Sequence, residues 1–195
     1  MAAVSLAATY AERGVIIVEY ALAASDVERL AAEVPPRNAP QRRPAPAHMR
    51  ARLARHPVLR DLVQDVAGPG LNLAHASLVH HVGRQPWRTG WQPAANLASH
   101  PTTDVLIAIA LDPCRPEHGP WEVQLGSHRD TAHDAEPNSA ICLLEPGDII
   151  VLHPRVLLRA QRGRSPTGRR LVQLDFATPE RTRPGTWTGP APGHA

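Results

Sequence analysis

Two adjacent histidines, His80 and His81, lie in a long apolar run from Leu71 to Val82. A third, His153, follows the apolar run Ile149 to Leu152. Successive side chains on a strand point to opposite faces, so one of the adjacent pair must face inward. Imidazoles give and take protons near neutral pH, which makes His80, His81 and His153 the proton-transfer candidates. A basic loop containing Gly163, Pro166 and Gly168 then delivers Arg169 and Arg170 to a second alternating run, Leu171 to Phe176. A different metal site built from His75, His80, His81, His100 and His153 is not expected. The chain has 11 histidines, and none shows a ligand pattern such as His-x-x-x-His on a helix. Cys114 and Cys142 are far apart and lack metal spacing, so neither a disulfide framework nor a zinc site is expected.

The elements that must position these residues can be read in order. Gly14 punctuates, and Val15 to Val18 reads as a short buried strand. Ser25-Asp26 is an N-cap signal for a helix from about Val27 to Val34, with Val27, Leu30, Ala31 and Val34 on one face. Pro35 to Pro46 reads as a surface loop, because proline excludes a helix or a central strand. A second helical region, His48 to Val66, is interrupted by Pro57, which suits the first turn of a new helix. Leu59, Leu62, Val63 and Val66 form its apolar stripe, and Gly68-Pro69-Gly70 stops it.

Strand patterns take over from Leu71. Gly83 to Gly90 reads as a loop and Trp91 to Leu97 as an extended piece. Asp104 to Leu111 reads as a strand covered on both faces, and Trp121 to Leu125 as another, with Gly126-Ser127-His128-Arg129 turning out of it. Ile141 to Leu144 is short and apolar. Gly147 to Ala177 reads as two strands joined by an arginine-rich loop. Helices first and short strands after predict a mainly β fold with flanking α-helices, a jelly roll or barrel. Residues 1–178 are expected to form one domain, helical over 1–68 with a β core over 71–177. Residues 179–195 are expected to be a flexible Pro/Gly-rich tail.

Composition excludes several classes. The 195 residues suffice for one domain with a real core. At 43% hydrophobic and 20% charged the chain is globular. Scarce aromatics (4%) beside 13 Gly and 21 Pro favour turns and short strands. The net charge is +3, and every basic residue is arginine. Compositional bias accounts for this, since no compact basic stripe interleaved with aromatics is visible, and nucleic-acid binding is not expected. No apolar run approaches membrane-spanning length and no signal peptide is supported, so the expected location is the cytoplasm.

Several pieces, in order, resemble the phytanoyl-CoA dioxygenase family of Fe(II)/2-oxoglutarate-dependent oxygenases. They are YAERGVIIVEYALAASDVERLAAEV from Tyr10, DVLIAIALDPCRPEHGPWEVQLGSHR from Asp104, and GDIIVLHP from Gly147 followed by Arg169-Arg170 and the alternating strand. The resemblance covers most of the chain up to about Ala177. It implies a double-stranded β-helix (jelly-roll, cupin-like) core. It also implies iron held by His-x-Asp and a distal His, with positions left open for 2-oxoglutarate and O2. In this chain the His-x-Asp positions fall on Gln92 and Ala94, and the distal His falls on Leu158. Glutamine is a poor Fe(II) ligand; alanine and leucine are none. The 2-oxoglutarate arginine matches Arg169, with Arg170 as its neighbour, and its planar fork suits a carboxylate. The resemblance therefore implies a degenerate member lacking the metal triad, with neither iron nor 2-oxoglutarate as cofactor.

The same alignment assigns a substrate-binding set. Trp91, Gln92 and Asn96 belong to the old ligand strand, Trp87 lines the mouth, and Arg159 and Gln161 close the cavity beside Arg170. Gln92 and Asn96 either orient a polyketide- or peptide-like substrate or plug the vacated metal site. His153 also matches the family's common His-Pro, where it is structural. Three functions follow. The first is a metal-independent cyclase, isomerase or lyase acting on a natural-product-like small molecule, with Arg169 anchoring an oxygen and His80, His81 or His153 moving protons. The second is a non-catalytic pseudoenzyme that binds a ligand or partner protein. The third is an Fe(II)/2-oxoglutarate dioxygenase with unusual ligands. The expected partner is a small-molecule substrate or ligand, with no nucleic acid and no membrane; a homodimer is left open.

Overall fold

The computed structural model describes residues 5–36, 41–81, 84–89, 104–129, 138–164 and 168–179. Four helices precede the main strands: α1 (Leu6–Arg13), α2 (Ala24–Glu33), α3 (Ala47–Ala54) and α4 (Pro57–Ala67). Pro57 opens α4, where its missing N–H costs nothing. The expected stripe Leu59, Leu62, Val63 and Val66 is buried. Helix α1 stops at Gly14, whose φ of +74° suits glycine. A Cβ there would also lie 2.5 Å from His128 Nδ1, so the close approach itself excludes a side chain.

The strands form two antiparallel sheets. The larger uses β1 (Val15–Val18), β2 (Gln41–Pro44), β3 (Asn72–His81), β5 (Val105–Ala110), β8 (Ile149–Leu152) and β10 (Arg169–Ala177), in the order β1-β8-β5-β10-β3-β2. The smaller uses β4 (Gln85–Thr89), β6 (Trp121–Gln124), β7 (Ser139–Cys142) and β9 (Leu157–Ala160), in the order β4-β9-β6-β7.

Alternation along the strands of the large sheet divides two apolar cores. Val105, Ile107, Ile109, Val172, Leu174 and Phe176 pack on the helices. Leu106, Ala108, Ala110, Ile150, Leu152 and Leu171 face the small sheet, against Trp121, Val123, Leu158 and Ala160. Strand β5 is covered on both faces, as its unbroken apolar sequence predicts.

Four expectations need correction. The Pro35–Pro46 loop contains β2, and the Gly83–Gly90 loop contains β4. Both are edge strands, the position where proline is tolerated because one row of backbone groups needs no partner. The apolar piece at Ile141–Leu144 is displaced: the strand is Ser139–Cys142. The stretch Gly147–Ala177 is three strands, not a hairpin. Strand β5 lies between β8 and β10, while β9 crosses to the other sheet. The proposed extended piece Trp91–Leu97 lies outside the described residues.

Strand β10 is tied to the helices by Arg170. Its Nε and Nη2 donate to the two carboxylate oxygens of Asp112 at 2.9 and 2.6 Å. Its Nη1 donates to the carbonyls of Ala31 (3.1 Å) and Val34 (2.7 Å), capping the C-terminus of α2. Charge-assisted bonds of this kind contribute about 1.5–3 kcal/mol. Asp112→Ala is expected to lower unfolding stability by roughly that amount, about 1.5–3 kcal/mol, read from urea denaturation at neutral pH.

Candidate functional site between the sheets

Alternation along β10 sends neighbouring arginines to opposite faces. Arg169 shares the inward face with Leu171, whereas Arg170 shares the helix-facing side with Val172. Arg169 is 2% exposed. Its Nη1 donates to the His118 carbonyl at 2.9 Å and also to the Gly119 carbonyl. Its Nε and Nη2 have no hydrogen-bond partner among the described residues. Those two nitrogens form the side of the fork that takes a carboxylate or a carbonyl oxygen. Burial draws the guanidinium pKa below its ordinary value.

The Gly119 carbonyl reaches this arginine from a tight corner. Gly119 has φ +71°, and a Cβ on it would lie 2.5 Å from the Gln161 carbonyl oxygen and 2.7 Å from Gly163 N. Only glycine fits there. Trp121, buried on β6, supplies a wall. Its ring centroid is 5.6 Å from the Arg169 guanidinium carbon and 5.5 Å from the His81 ring, which meets it edge-on. His81 is the direct cross-strand partner of Arg169. Burial raises the thiol pKa of both Cys114 and Cys142, and the Arg169 charge opposes this; Cys142 is pushed up to about 12. Both are free, buried thiols, and burial disfavours the reactive thiolate form.

The distal histidine position of the resemblance is occupied by Leu158, which is fully buried and sits opposite Val123 on β6. Val123, Leu158 and Leu171 belong to the inter-sheet apolar cluster together with Val79. Hydrocarbon here offers iron nothing. Among the described residues no group of three His, Cys, Asp or Glu side chains is placed to hold a metal. Of the three positions that the resemblance gives to iron ligands, only Leu158 is among the described residues, and its side chain has no donor atom. Trp91, Gln92, Ala94 and Asn96 lie outside the described residues.

Several residues assigned to the cavity stand elsewhere. His80 pairs in register with Arg170 and faces the helices, so of the two adjacent histidines only His81 joins Arg169. Arg170 is engaged by Asp112 and α2. Arg159 and Gln161 do not close the cavity. Strand β9 alternates, so Leu158 faces in and Arg159 faces out. On that outer face Arg159 and Gln161 donate to Glu122 Oε2 at 2.8 and 3.1 Å, and Ser139 donates to Oε1 at 2.8 Å. Burial works to raise the Glu122 pKa, but these bonds and the Arg159 charge bring it below the ordinary value. Trp87 is on the same exterior, 4.6 Å from the Arg159 guanidinium.

His153 lies at the end of β8 beside α1. Its backbone N–H donates to Gly14, and its Nδ1 accepts from the Arg155 N–H at 3.1 Å. Its ring is 4.7 Å from that of His128 and 6.0 Å from that of Tyr10. His128 Nε2 donates to the Ala11 carbonyl at 3.1 Å. These contacts fasten the end of α1 to the Gly-Ser-His-Arg turn.

The sequence reading missed four inward-facing polar residues: Arg42, Ser77, Gln173 and Asp175. Gln173 Nε2 donates to Asp175 Oδ1 at 2.8 Å, and Arg42 lies 3.9 Å from Asp175 Oδ2. Gln173 and Asp175 are the only polar residues in the run Leu171 to Ala177, spaced two apart, which was the available signal.

No protein-family model matches this chain, and no curated protein sequence matches it. Solved structures do. One is the non-heme alpha-ketoglutarate-dependent epimerase SnoN from nogalamycin biosynthesis, with TM-score 0.71 and 20% identity over 89% of this chain and 82% of that one. Another is the carbocyclase SnoK from the same biosynthesis, with TM-score 0.70 and 14% identity over 89% and 83%. HygX from Streptomyces hygroscopicus, solved with nickel and 2-oxoglutarate bound, matches with TM-score 0.70 and 17% identity over 87% and 85%. The chain thus has the double-stranded β-helix, jelly-roll fold of non-haem 2-oxoglutarate-dependent enzymes. No helix among the described residues is long and apolar enough to cross a membrane.

The histidine pair makes stability depend on pH. Burial lowers both pKa values, aided by like charge from Arg155 on each and from His128 on His153; the Ala11 carbonyl partly opposes this at His128. His153 falls from 6.5 to about 4. Within that window the unfolded chain binds more protons than the folded one, so stability falls as pH drops through it. Urea midpoints measured across this range should decline on acidification, and His153→Gln should make the decline shallower.

Proposed function

We propose that this chain is a phytanoyl-CoA dioxygenase-like protein without an iron centre, acting as a cyclase, isomerase or lyase on a small natural-product-like molecule. It works in the cytoplasm, where its two buried cysteines stay reduced, and uses neither metal nor 2-oxoglutarate as cofactor. One observation carries this reading. Leu158 fills the distal ligand position, while Arg169 on the facing sheet keeps Nε and Nη2 without a partner. The distal position offers no donor to a metal, while the buried guanidinium offers two N–H donors to an anion. SnoN and SnoK, an epimerase and a carbocyclase, give this fold a precedent for such reactions, although both are described as alpha-ketoglutarate-dependent.

Arg169 would hold a carboxylate or polarise a carbonyl oxygen of the bound molecule. A guanidinium in a water-excluded site stabilises developing negative charge more strongly than one in water. His81, its cross-strand neighbour, would take or give the proton, and the Trp121 ring would hold the molecule's apolar face. The close apolar packing of Leu158, Val123 and Leu171 favours a second reading, a non-catalytic protein that binds its ligand at the Arg169 corner alone.

Metal content and co-substrate turnover test the proposal. The purified protein, incubated with Fe(II), ascorbate and 2-oxoglutarate, should retain iron far below one atom per chain and form no succinate above background. One iron per chain with succinate formation would contradict it.

A further inference from the structure

The inward face of the large sheet carries a second polar patch that the Arg169 corner does not use. Gln173 is 2% exposed and lies in register between Ser77 on β3 and Ala108 on β5. Both neighbours are small, so no bulky side chain flanks the Gln173 amide in its own row. The amide orientation is fixed by chemistry. An ionised carboxylate only accepts, so the Gln173 amide nitrogen must face Asp175, and Oε1 must point away from it. That oxygen has no hydrogen-bond partner among the described residues. Asp175 is 6% exposed and is paired with Arg42.

We propose that Gln173, oriented by Asp175 and Arg42 and flanked by Ser77, forms a subsite for a neutral, hydroxyl-bearing part of the ligand. The class follows from the donor set. Gln173 Oε1 accepts, so the ligand must donate. The Asp175 charge is already matched by Arg42, so a neutral donor fits better than a cation. Ser77 and Gln173 are direct cross-strand partners, with Cβ atoms about 5 Å apart. Two such groups match neighbouring hydroxyls on one ring. The subsite rests on the reading of the inter-sheet space as a small-molecule site.

The test uses the full chain, saturation-transfer NMR titrations and two probes: methyl α-D-glucopyranoside for the hydroxyl subsite and succinate for Arg169. Wild type should bind both. Gln173→Leu should weaken the glucoside roughly five- to tenfold, the scale of one lost hydrogen bond, and leave succinate unchanged. Arg169→Met should do the reverse. Gln173→Asn, which keeps an amide but draws it back by one methylene, should weaken the glucoside too and carries the test if the leucine variant does not fold. Glucoside binding that is absent in wild type, or equal in wild type and the Gln173 variants, overturns the subsite. If succinate still binds through Arg169, only the subsite falls; if neither probe binds, the small-molecule reading falls with it.

Discussion

The fork between Arg170 and Asp112 sets what the rest of the molecule can do. Strand β10 runs through the large sheet between β3 and β5, and its side chains alternate between the helix layer and the inter-sheet space. Arg170 is fixed on the helix side by both oxygens of Asp112 and by two carbonyls at the end of α2. A one-residue slip would send every side chain of the strand to the other face. Pinning Arg170 outward therefore commits Arg169, Leu171, Gln173 and Asp175 inward.

The inward set has an unusual balance. Arg169 is a buried cation held by backbone carbonyls and an aromatic wall, and no carboxylate pairs with it among the described residues. Taking a guanidinium out of water is costly unless its donors are satisfied. A ligand oxygen at Nε and Nη2 would offset that cost. Across the space, β9 offers only the hydrocarbon of Leu158 and Ala160. Strand β10 thus brings a buried guanidinium, and strand β9 an apolar wall, to the same space.

Much of the scaffold was legible from residue pattern. The α4 stripe, the doubly covered β5 and the alternation of β10 all appear where periodicity places them. The short strands were harder to read. Strand β9 is four residues long, with Arg159 within it, and it looks like part of a basic loop until its pairing with β6 is known. Strands β2 and β4 contain proline, which pattern reading assigns to loops, yet edge positions tolerate it. Side assignment was the other gap. Alternation says that one of His80 and His81 faces inward; only the pairing of His81 with Arg169 says which. Arg42 was out of reach, because its contact with Asp175 joins an edge strand to a central one far along the chain.

The central claim is that this space retains an anion-binding arginine without an iron centre. The most direct measurement is a crystal structure of the protein grown with manganese(II), a stand-in for iron, and a dicarboxylate. The account predicts a carboxylate bridging Arg169 Nε and Nη2, with no metal density near Leu158. A manganese ion bound between the sheets beside Leu158, with the dicarboxylate chelating it, would contradict the account.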